Sequence, residues 1–213
     1  MLIPLDSHVF WDADFWMFPP LLLLFPEEAR MIVDYRFDHL DGAQQTAKIF
    51  GYDGAMFPWE SCFSGHEVCF DIGAQCWIEH HVSGDVVFAH LQYYFATHDK
   101  EWLEERAWPV IEGVAQFWAS RVELNGSRYE INNIRCVDEY ANHVNNCVFT
   151  NAIAQVSLNA ATELGNVLGH SVPANWTTIS QCVRFLFPLL LGCSTPVVPL
   201  MLSAPLQEYV HSI

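Results

Sequence analysis

The feature that most constrains the fold is the spacing of apolar residues in two long segments, residues 100–121 and 147–168. In both segments apolar side chains recur at steps of three and four, the period of an α-helix with one buried face. These positions are Leu103, Ala107, Val110, Ile111, Val114, Phe117 and Trp118 in the first segment, and Phe149, Ala152, Ile153, Val156, Ala160, Leu164, Val167 and Leu168 in the second. We therefore predict two long helices, the first of them on the outside of the molecule.

Other segments also carry helical signals. Residues 26–40 begin with a proline, which is tolerated in a first helical turn, followed by two glutamates that complement the helix dipole. A second helix is predicted for residues 42–50, because a glycine follows it. Residues 72–97 are compatible with helix, and Ser83 and Gly84 are expected to divide this region into two pieces.

The remaining patterns define the fold class. Residues 86–95 are apolar nearly all the way round, which predicts a helix that is buried on most of its surface. Asn125 and Gly126 separate two alternating segments, a pattern that is typical of a β-hairpin. We therefore predict an all-α fold with one short hairpin. Buried and amphipathic helices in succession fit two concentric layers, but periodicity alone does not distinguish a barrel from an irregular bundle.

The charge balance excludes one class of partner. The 213 residues include 9 Lys and Arg against 25 Asp and Glu, and the formal net charge is −16. Nucleic-acid affinity depends mainly on basic side chains that neutralise phosphates. We therefore expect no nucleic-acid partner. Neutral or cationic substrates remain open.

The cysteines and the first residues predict a compartment. Seven cysteines are present, an odd number, and their spacing fits no zinc-binding pattern. We interpret them as free or buried thiols in a reducing compartment. The first residues lack both the basic flank and the continuous apolar stretch of a secretory signal. A cytoplasmic location is the resulting expectation.

The last part of the chain differs from the rest. In residues 181–213 the formally charged residues are Arg184 and Glu208 alone. Residues 185–206 are long enough to cross a bilayer, which takes about 20 apolar residues. Four prolines interrupt this stretch, however, and each removes a helical hydrogen bond at a high cost in lipid. We therefore expect no membrane span. We divide the chain into residues 1–180 and a divergent, proline-rich tail of residues 181–213, of the kind that an alternative exon or read-through would supply.

Three short segments carry residues suited to carbohydrate chemistry, and each also has a plain structural interpretation. The first is Trp11-Asp12, where an indole could stack on a sugar and a carboxylate could accept hydroxyl hydrogen bonds, or where Asp12 could simply cap a helix. The second is Trp59-Glu60, a cleft wall or a packed loop. The third is Glu139, a proton donor if Tyr140 shields it from water, or otherwise a solvated turn residue.

The order in which these segments occur is more specific than any one of them. The sequence contains, in turn, FWDAD, GAMFPWES, GHEVC, EHHVSGDVVFAHLQYY, FWASRVE, DEYANHVNN and FTN. Together they resemble the catalytic barrel of glycoside hydrolase family 65, from about residue 7 to residue 167. The resemblance implies that residues 1–180 are part of an (α/α)6 barrel. It also implies release of α-linked glucose from the glucosyl-galactosyl-hydroxylysine of collagen, by an inverting mechanism without a metal or organic cofactor.

The resemblance also implies roles for particular residues. Glu139 matches the general acid of the family, and Trp11 and Asp12 match the pair that holds the glucose ring. Trp59 and Glu60 match a second cleft loop, for which we expect sugar contact. Val137 and Ala141 stand where the family has Pro and His, which puts the rigidity of the loop around Glu139 in doubt.

Other features argue that the chain is incomplete. An inverting enzyme needs a second carboxylate as base, and in the family that residue follows the matched region. Here Asp14, Glu67 and Asp71 are only chemically possible substitutes. Six or seven predicted helices, where twelve are expected, suggest an incomplete barrel. Two alternatives therefore stay open. One is a competent hydrolase or disaccharide phosphorylase of the same family, and the other is a non-catalytic helical fragment that binds carbohydrate or a partner chain.

Overall fold

The fold is built mainly from helices that alternate with short loops. The computed structural model describes residues 8–69 and 76–184. The helices are α1 (Phe18–Leu24), α2 (Pro26–Asp38), α3 (Leu40–Ile49), α4 (His81–Thr97), α5 (Lys100–Trp102), α6 (Trp108–Arg121), α7 (Val148–Leu168) and α8 (Ala174–Cys182). A π-helical turn at Ala13–Met17 leads into α1, and another at Leu103–Ala107 joins α5 to α6. A 3₁₀ turn at Cys76–Ile78 precedes α4.

Two short antiparallel pairs of strands complete the fold. β1 (Val9–Phe10) pairs with β2 (Glu60–Ser61), and β3 (Glu123–Asn125) pairs with β4 (Arg128–Glu130). The second pair is the predicted hairpin, and Gly126 takes the positive φ of 63° that its turn requires. The helix predicted at residues 147–168 is likewise confirmed as α7, and the predicted helices at residues 26–40 and 42–50 are confirmed as α2 and α3, within about two residues at each end.

The prediction that Ser83 and Gly84 divide a helix was wrong. Both residues are buried within α4, which runs unbroken from His81 to Thr97. A Cβ atom at Gly84 would lie 2.7 Å from both γ carbons of Ile153, so the missing side chain allows α7 to pack closely on α4. The Ser83 hydroxyl accepts a hydrogen bond from the backbone N–H of Phe57. Tertiary packing therefore outweighs the low helical propensity of this pair.

The helix predicted to lie on the outside is more buried than its pattern indicated. Besides the predicted apolar stripe, α6 buries Gly113 and Ala115. The backbone N–H of Ala55 donates to the Gly113 carbonyl over 2.8 Å, so the loop after α3 covers the helix at Gly113. A Cβ atom at Gly113 would lie 3.1 Å from the Cβ atom of Ala55, so the missing side chain leaves room for that loop. Helix α4, as predicted, is buried over most of its surface.

The start of the predicted tail packs against the hairpin. Val183 is buried, and the backbone N–H of Arg184 donates to the carbonyl of Tyr129 over 2.8 Å. In the part of the chain that the structure describes, no helix has the length and apolar character to cross a bilayer. The rest of the tail, including the apolar stretch considered above as a membrane span, lies outside the described residues.

Candidate active site

The Trp11-Asp12 segment is held in place from two sides. The backbone N–H of Trp11 donates to the carbonyl of Trp59 over 3.1 Å, next to the pairing of β1 with β2. Two residues after Asp12, the carboxylate of Asp14 is fully buried and accepts two hydrogen bonds from the guanidinium of Arg36 in α2. The segment is therefore fixed between the loop that precedes β2 and helix α2.

Trp11 is a buried residue rather than an open platform. Its side chain is 5% exposed, and it packs edge-on against the His81 ring at a centroid distance of 4.8 Å, with Phe15 and Trp16 also nearby. Stacking of a sugar on a broad Trp11 face, as expected above, is not favoured by this burial. The indole N–H of Trp11 is buried and has no acceptor among the described residues. Its hydrogen-bonding capacity is therefore unused within the described residues.

Asp12 and Glu139 share one electrostatic environment. Burial raises the pKa of Asp12, the nearby carboxylates of Glu139 and Asp14 add to the rise, and His81 opposes it. Glu139, in the loop after the hairpin, is therefore close to Asp12 although they are far apart in sequence. The structure thus brings the predicted residues Trp11, Asp12 and Glu139 to one site.

The surroundings of Glu139 differ from the prediction. Its side chain is 42% exposed, and Tyr140, which was expected to shield it, is 98% exposed. The reason is local. The Asp138 carboxylate and carbonyl accept the backbone N–H groups of Tyr140 and Ala141, and this tight turn directs Tyr140 away from the protein. Glu139 therefore stands at an open surface next to Asp12.

The second predicted cleft segment lies beside the first. Glu60 is 8% exposed, and its carboxylate is 3.0 Å from the Nδ1 atom of His8. Trp59 packs against Phe10 at a centroid distance of 6.0 Å, and its buried indole N–H lacks an acceptor within residues 8–69 and 76–184. The two predicted segments thus lie side by side, but the carboxylate of Glu60 already contacts His8.

The chemically possible substitutes for a catalytic base are used in other ways. Asp14 is enclosed with Arg36, as described above. The carboxylate of Glu67 accepts the backbone N–H groups of Trp59, Glu60 and Cys69 at 2.7, 3.1 and 3.0 Å. Asp71 lies outside the described residues. Neither Asp14 nor Glu67 is free to activate a water molecule.

A buried triad lies directly beneath the site. His81, at the start of α4, is 2.6 Å from a carboxylate oxygen of Asp85 through Nδ1 and 3.1 Å from one of Glu79 through Nε2. All three side chains are fully buried. Burial alone would lower the pKa of His81, but the two carboxylates outweigh it and raise the pKa to about 9. Burial raises the pKa of Asp85 to about 6, so at pH 7 His81 is charged and Asp85 is ionised.

The loop that carries Glu139 is connected to this triad. Arg135 Nε lies 3.4 Å from Glu79 and donates to the backbone carbonyl of Glu139 over 2.9 Å. The Arg135 Nη2 atom is 3.8 Å from the Glu139 carboxylate. The backbone N–H of Arg135 donates to the carbonyl of Ile78, just before α4. The sequence prediction missed His81, Glu79 and Arg135 as site residues, although the four-residue spacing of His81 and Asp85 on a helix was a usable signal.

A disulfide bond closes the same loop. Cys136 and Cys147 are paired, with their Cα atoms 6.0 Å apart and Glu139 between them in sequence. The interpretation of the cysteines as free thiols was wrong for this pair, since the extended connection between β4 and α7 folds back on itself and brings them together. Because disulfides persist mainly in oxidising compartments, cysteine usage no longer supports the cytoplasmic expectation, which stays a prediction.

We expect loss of the disulfide to destabilise the protein. The double substitution Cys136→Ser and Cys147→Ser should lower the free energy of unfolding by about 2–4 kcal/mol, because the unfolded chain regains the freedom of the closed loop. Urea unfolding followed by tryptophan fluorescence measures this. Cys182→Ser, which removes an unpaired thiol of α8, is the matched control and should change little. Equal stability of the double variant and the control would contradict the expectation.

The His81 triad also predicts a pH dependence. Since the pKa of His81 is raised on folding, its stabilising contribution is fully present below pH 6.5 and is lost as the pH rises through about 9. We expect the free energy of unfolding to fall by roughly 3 kcal/mol more in the native protein than in His81→Gln between pH 6.5 and 10. Parallel pH profiles, or a His81 imidazole that titrates near pH 6.5 by NMR, would show that the triad is not ionised as described.

The fold and the site together define a class of protein. A helical domain in which carboxylates lie beside buried tryptophans at one site is a candidate carbohydrate-active domain. In the described ranges, 8–69 and 76–184, there is no group of three or more His, Cys, Asp or Glu residues that could hold a metal ion.

Comparison with known proteins gives the family. Residues 5–180 match the glycosyl hydrolase family 65 central catalytic domain, and the chain belongs to this family. It is 49% identical over 177 residues to a kojibiose hydrolase of Flavobacterium johnsoniae, which covers 83% of this chain and 26% of that protein. It is 42% identical over 186 residues to protein-glucosylgalactosylhydroxylysine glucosidase of Gallus gallus, over 85% of this chain and 26% of that protein.

A solved structure supports the fold. A candidate kojibiose phosphorylase from the human microbiome superimposes with a TM-score of 0.78, covering 84% of this chain and 28% of that structure at 20% identity. At this identity the likeness concerns the fold alone. The chain spans about a quarter of the length of these relatives.

Proposed function

We propose that this chain supplies part of an α-glucosidase site that releases a terminal α-linked glucose from a disaccharide, with Glu139 as the proton donor. The observation that carries the proposal is the convergence of Glu139, Asp12 and Trp11. A half-exposed carboxylate, a half-buried one with a raised pKa and a buried, unpartnered indole N–H lie close together. The substrates named in the relatives, kojibiose and glucosylgalactosylhydroxylysine, provide the substrate class.

Each of these groups has a defined task in the proposal. Asp12 accepts hydrogen bonds from sugar hydroxyls, and the indole N–H of Trp11 donates one. Glu139 stands open in the free protein, so the bound sugar itself must cover it. Removal of water by the sugar disfavours the charged carboxylate, and this favours the protonated form that donates to the leaving oxygen. Trp59 and Glu60 line the adjoining wall.

The inverting mechanism requires a second carboxylate. It must lie roughly 6.5–9.5 Å from the acid to leave room for the attacking water. Asp14 and Glu67 are committed to other contacts, so within the described ranges we assign no base. We further propose that residues 1–180 belong to an (α/α)6 barrel whose remaining part would complete the site. If no base is present, the chain retains sugar binding without turnover, which is the second candidate function.

Product analysis tests the proposal. The chain is incubated with kojibiose and with glucosyl-galactosyl-hydroxylysine, with and without inorganic phosphate, and the products are separated by chromatography. Free glucose that does not depend on phosphate supports a hydrolase, whereas glucose 1-phosphate formed only with phosphate identifies a phosphorylase. Sugar binding without either product supports the non-catalytic alternative. A chain that neither binds these sugars nor releases glucose would contradict the carbohydrate assignment.

A further inference from the structure

We propose that Arg135 is a positioning residue that holds Glu139 in place by anchoring its loop to the buried Glu79–His81–Asp85 triad. This inference rests on the proposed function of Glu139. It assigns a role to Glu79, His81 and Asp85, which have no part in the mechanism proposed above.

The contacts form a continuous path. From Asp85, hydrogen bonds pass through His81 to Glu79 at 2.6 and 3.1 Å, and Arg135 Nε approaches Glu79 to 3.4 Å. The same guanidinium donates to the backbone carbonyl of Glu139 over 2.9 Å. A bond to the backbone carbonyl fixes the position of the loop while the Glu139 carboxylate stays accessible.

The charges of the path balance. Glu79 and Asp85 are fully buried, and each carries a negative charge when ionised. The His81 imidazolium and the Arg135 guanidinium provide two positive charges. The side chain of Arg135 is 15% exposed. When both carboxylates are ionised, the charges of these four groups sum to zero. Removal of Arg135 would leave an uncompensated negative charge close to Glu139, and buried charges are costly when they are unpaired.

The same triad supports the other half of the site. The His81 ring packs edge-on against Trp11 at 4.8 Å, and its charge opposes the rise in the pKa of Asp12. Burial raises the pKa of Glu79, with a contribution from the nearby Glu139 carboxylate. The titratable groups around His81 include Asp12, Glu79, His80 and Asp85, with Glu139 acting on Asp12 and Glu79 from the neighbouring loop. The Trp11-Asp12 segment and the loop that carries Glu139 are therefore both held by contacts with the buried Glu79–His81–Asp85 triad or with Arg135, which is bound to it.

The test compares two substrates that differ in their need for an acid. Kojibiose has an alcohol leaving group that requires protonation, whereas α-glucosyl fluoride releases fluoride without it. We expect Arg135→Gln to lower kcat for kojibiose by about 100-fold, since a misplacement of about 1 Å costs this much. KM for kojibiose and kcat for α-glucosyl fluoride should change by less than about 3-fold, because the acid does not take part in either. Arg135→Lys should recover part of the loss, since it restores the positive charge.

A second readout does not depend on turnover. Hydrogen–deuterium exchange of the peptide that covers residues 136–146 should rise at least about 10-fold in Arg135→Gln, because the side-chain contacts of Arg135 with Glu79 and with the Glu139 carbonyl are lost. Arg106→Gln is the matched control, since Arg106 is a half-exposed arginine in an ion pair with Asp38, far from this loop in sequence.

The kinetic comparison and the exchange measurement can each overturn the proposal. Equal losses with kojibiose and α-glucosyl fluoride would show a merely structural role for Arg135, and unchanged exchange of residues 136–146 would show that it is no tether. Either result overturns the proposal. If the native chain neither bound kojibiose nor released glucose from either substrate, the proposed function would fail, and the role of Arg135 in catalysis with it. The exchange measurement would then report separately whether the loop is anchored.

Discussion

Replacing Glu139 by glutamine is expected to reduce glucose release from kojibiose about 100- to 10,000-fold, because an amide cannot protonate the leaving oxygen. The substitution keeps the size and the hydrogen-bonding reach of the side chain. Since Glu139 is half-exposed and its backbone contacts do not involve the carboxylate, the fold should be preserved. Glucose release is measured in steady state with kojibiose and with α-glucosyl fluoride.

Comparison of the rates with the two substrates distinguishes a proton donor from a residue that only binds the sugar. Hydrolysis of α-glucosyl fluoride should fall by less than about 10-fold in Glu139→Gln, since fluoride leaves without a proton. Glu105→Gln, a change at an exposed glutamate of the π-helical turn before α6, is the control and should leave both activities unchanged. If Glu139→Gln released glucose from kojibiose at the native rate, Glu139 would not be the proton donor.

The second large effect is expected at the buried ion pair behind the Trp11-Asp12 segment. Arg36→Met should lower the free energy of unfolding by about 3–5 kcal/mol, since it leaves the Asp14 carboxylate buried without a partner. Both side chains are almost completely inaccessible to water, and two hydrogen bonds join them. Urea unfolding followed by circular dichroism measures the loss.

Two further variants separate this effect from a loss of packing. Arg30→Met removes an arginine of the same helix whose ion pair with Asp34 is partly exposed, and should cost less than about 1 kcal/mol. The double substitution Asp14→Leu and Arg36→Met should be less destabilising than Arg36→Met alone, because no unpaired charge remains. If Arg36→Met and Arg30→Met were equally mild, the buried Asp14–Arg36 pair would contribute no more to stability than a partly exposed ion pair.

Much of the helical architecture could be predicted from local patterns. The apolar period that defines α7 and the hairpin turn depend on neighbouring residues alone, and both are found within one residue of where they were expected, with Gly126 and Ser127 in the turn. The failures involve distant partners. Gly84 is compatible with helix α4 because Ile153 of α7 occupies the space of its missing side chain, and Gly113 is buried because a loop near Ala55 covers it. Such contacts leave no local signal.

In the site, too, local patterns were predicted from the sequence, whereas features that depend on distant partners were not. The Trp11-Asp12 segment and Glu139 were identified from short motifs, and the structure brings them together, but the state of Glu139 depends on the turn that directs Tyr140 into solvent. The pairing of Cys136 with Cys147 depends on how the connection after the hairpin folds back, which spacing alone does not reveal. His81 was visible as a motif residue, yet its charge results from two carboxylates that only the tertiary structure places at its two nitrogens.

NMR of the tryptophan indole groups tests the central claim most directly. In ¹⁵N-labelled Glu139→Gln protein, the indole N–H resonance of Trp11 is assigned through a Trp11→Phe variant and followed as kojibiose is added. The proposed site predicts a saturable shift of the Trp11 resonance, because its unpartnered N–H gains a sugar hydroxyl, while the resonance of Trp118 in the core of α6 stays in place. A Trp11 resonance that remains as constant as that of Trp118 at saturating kojibiose would contradict the placement of the sugar site.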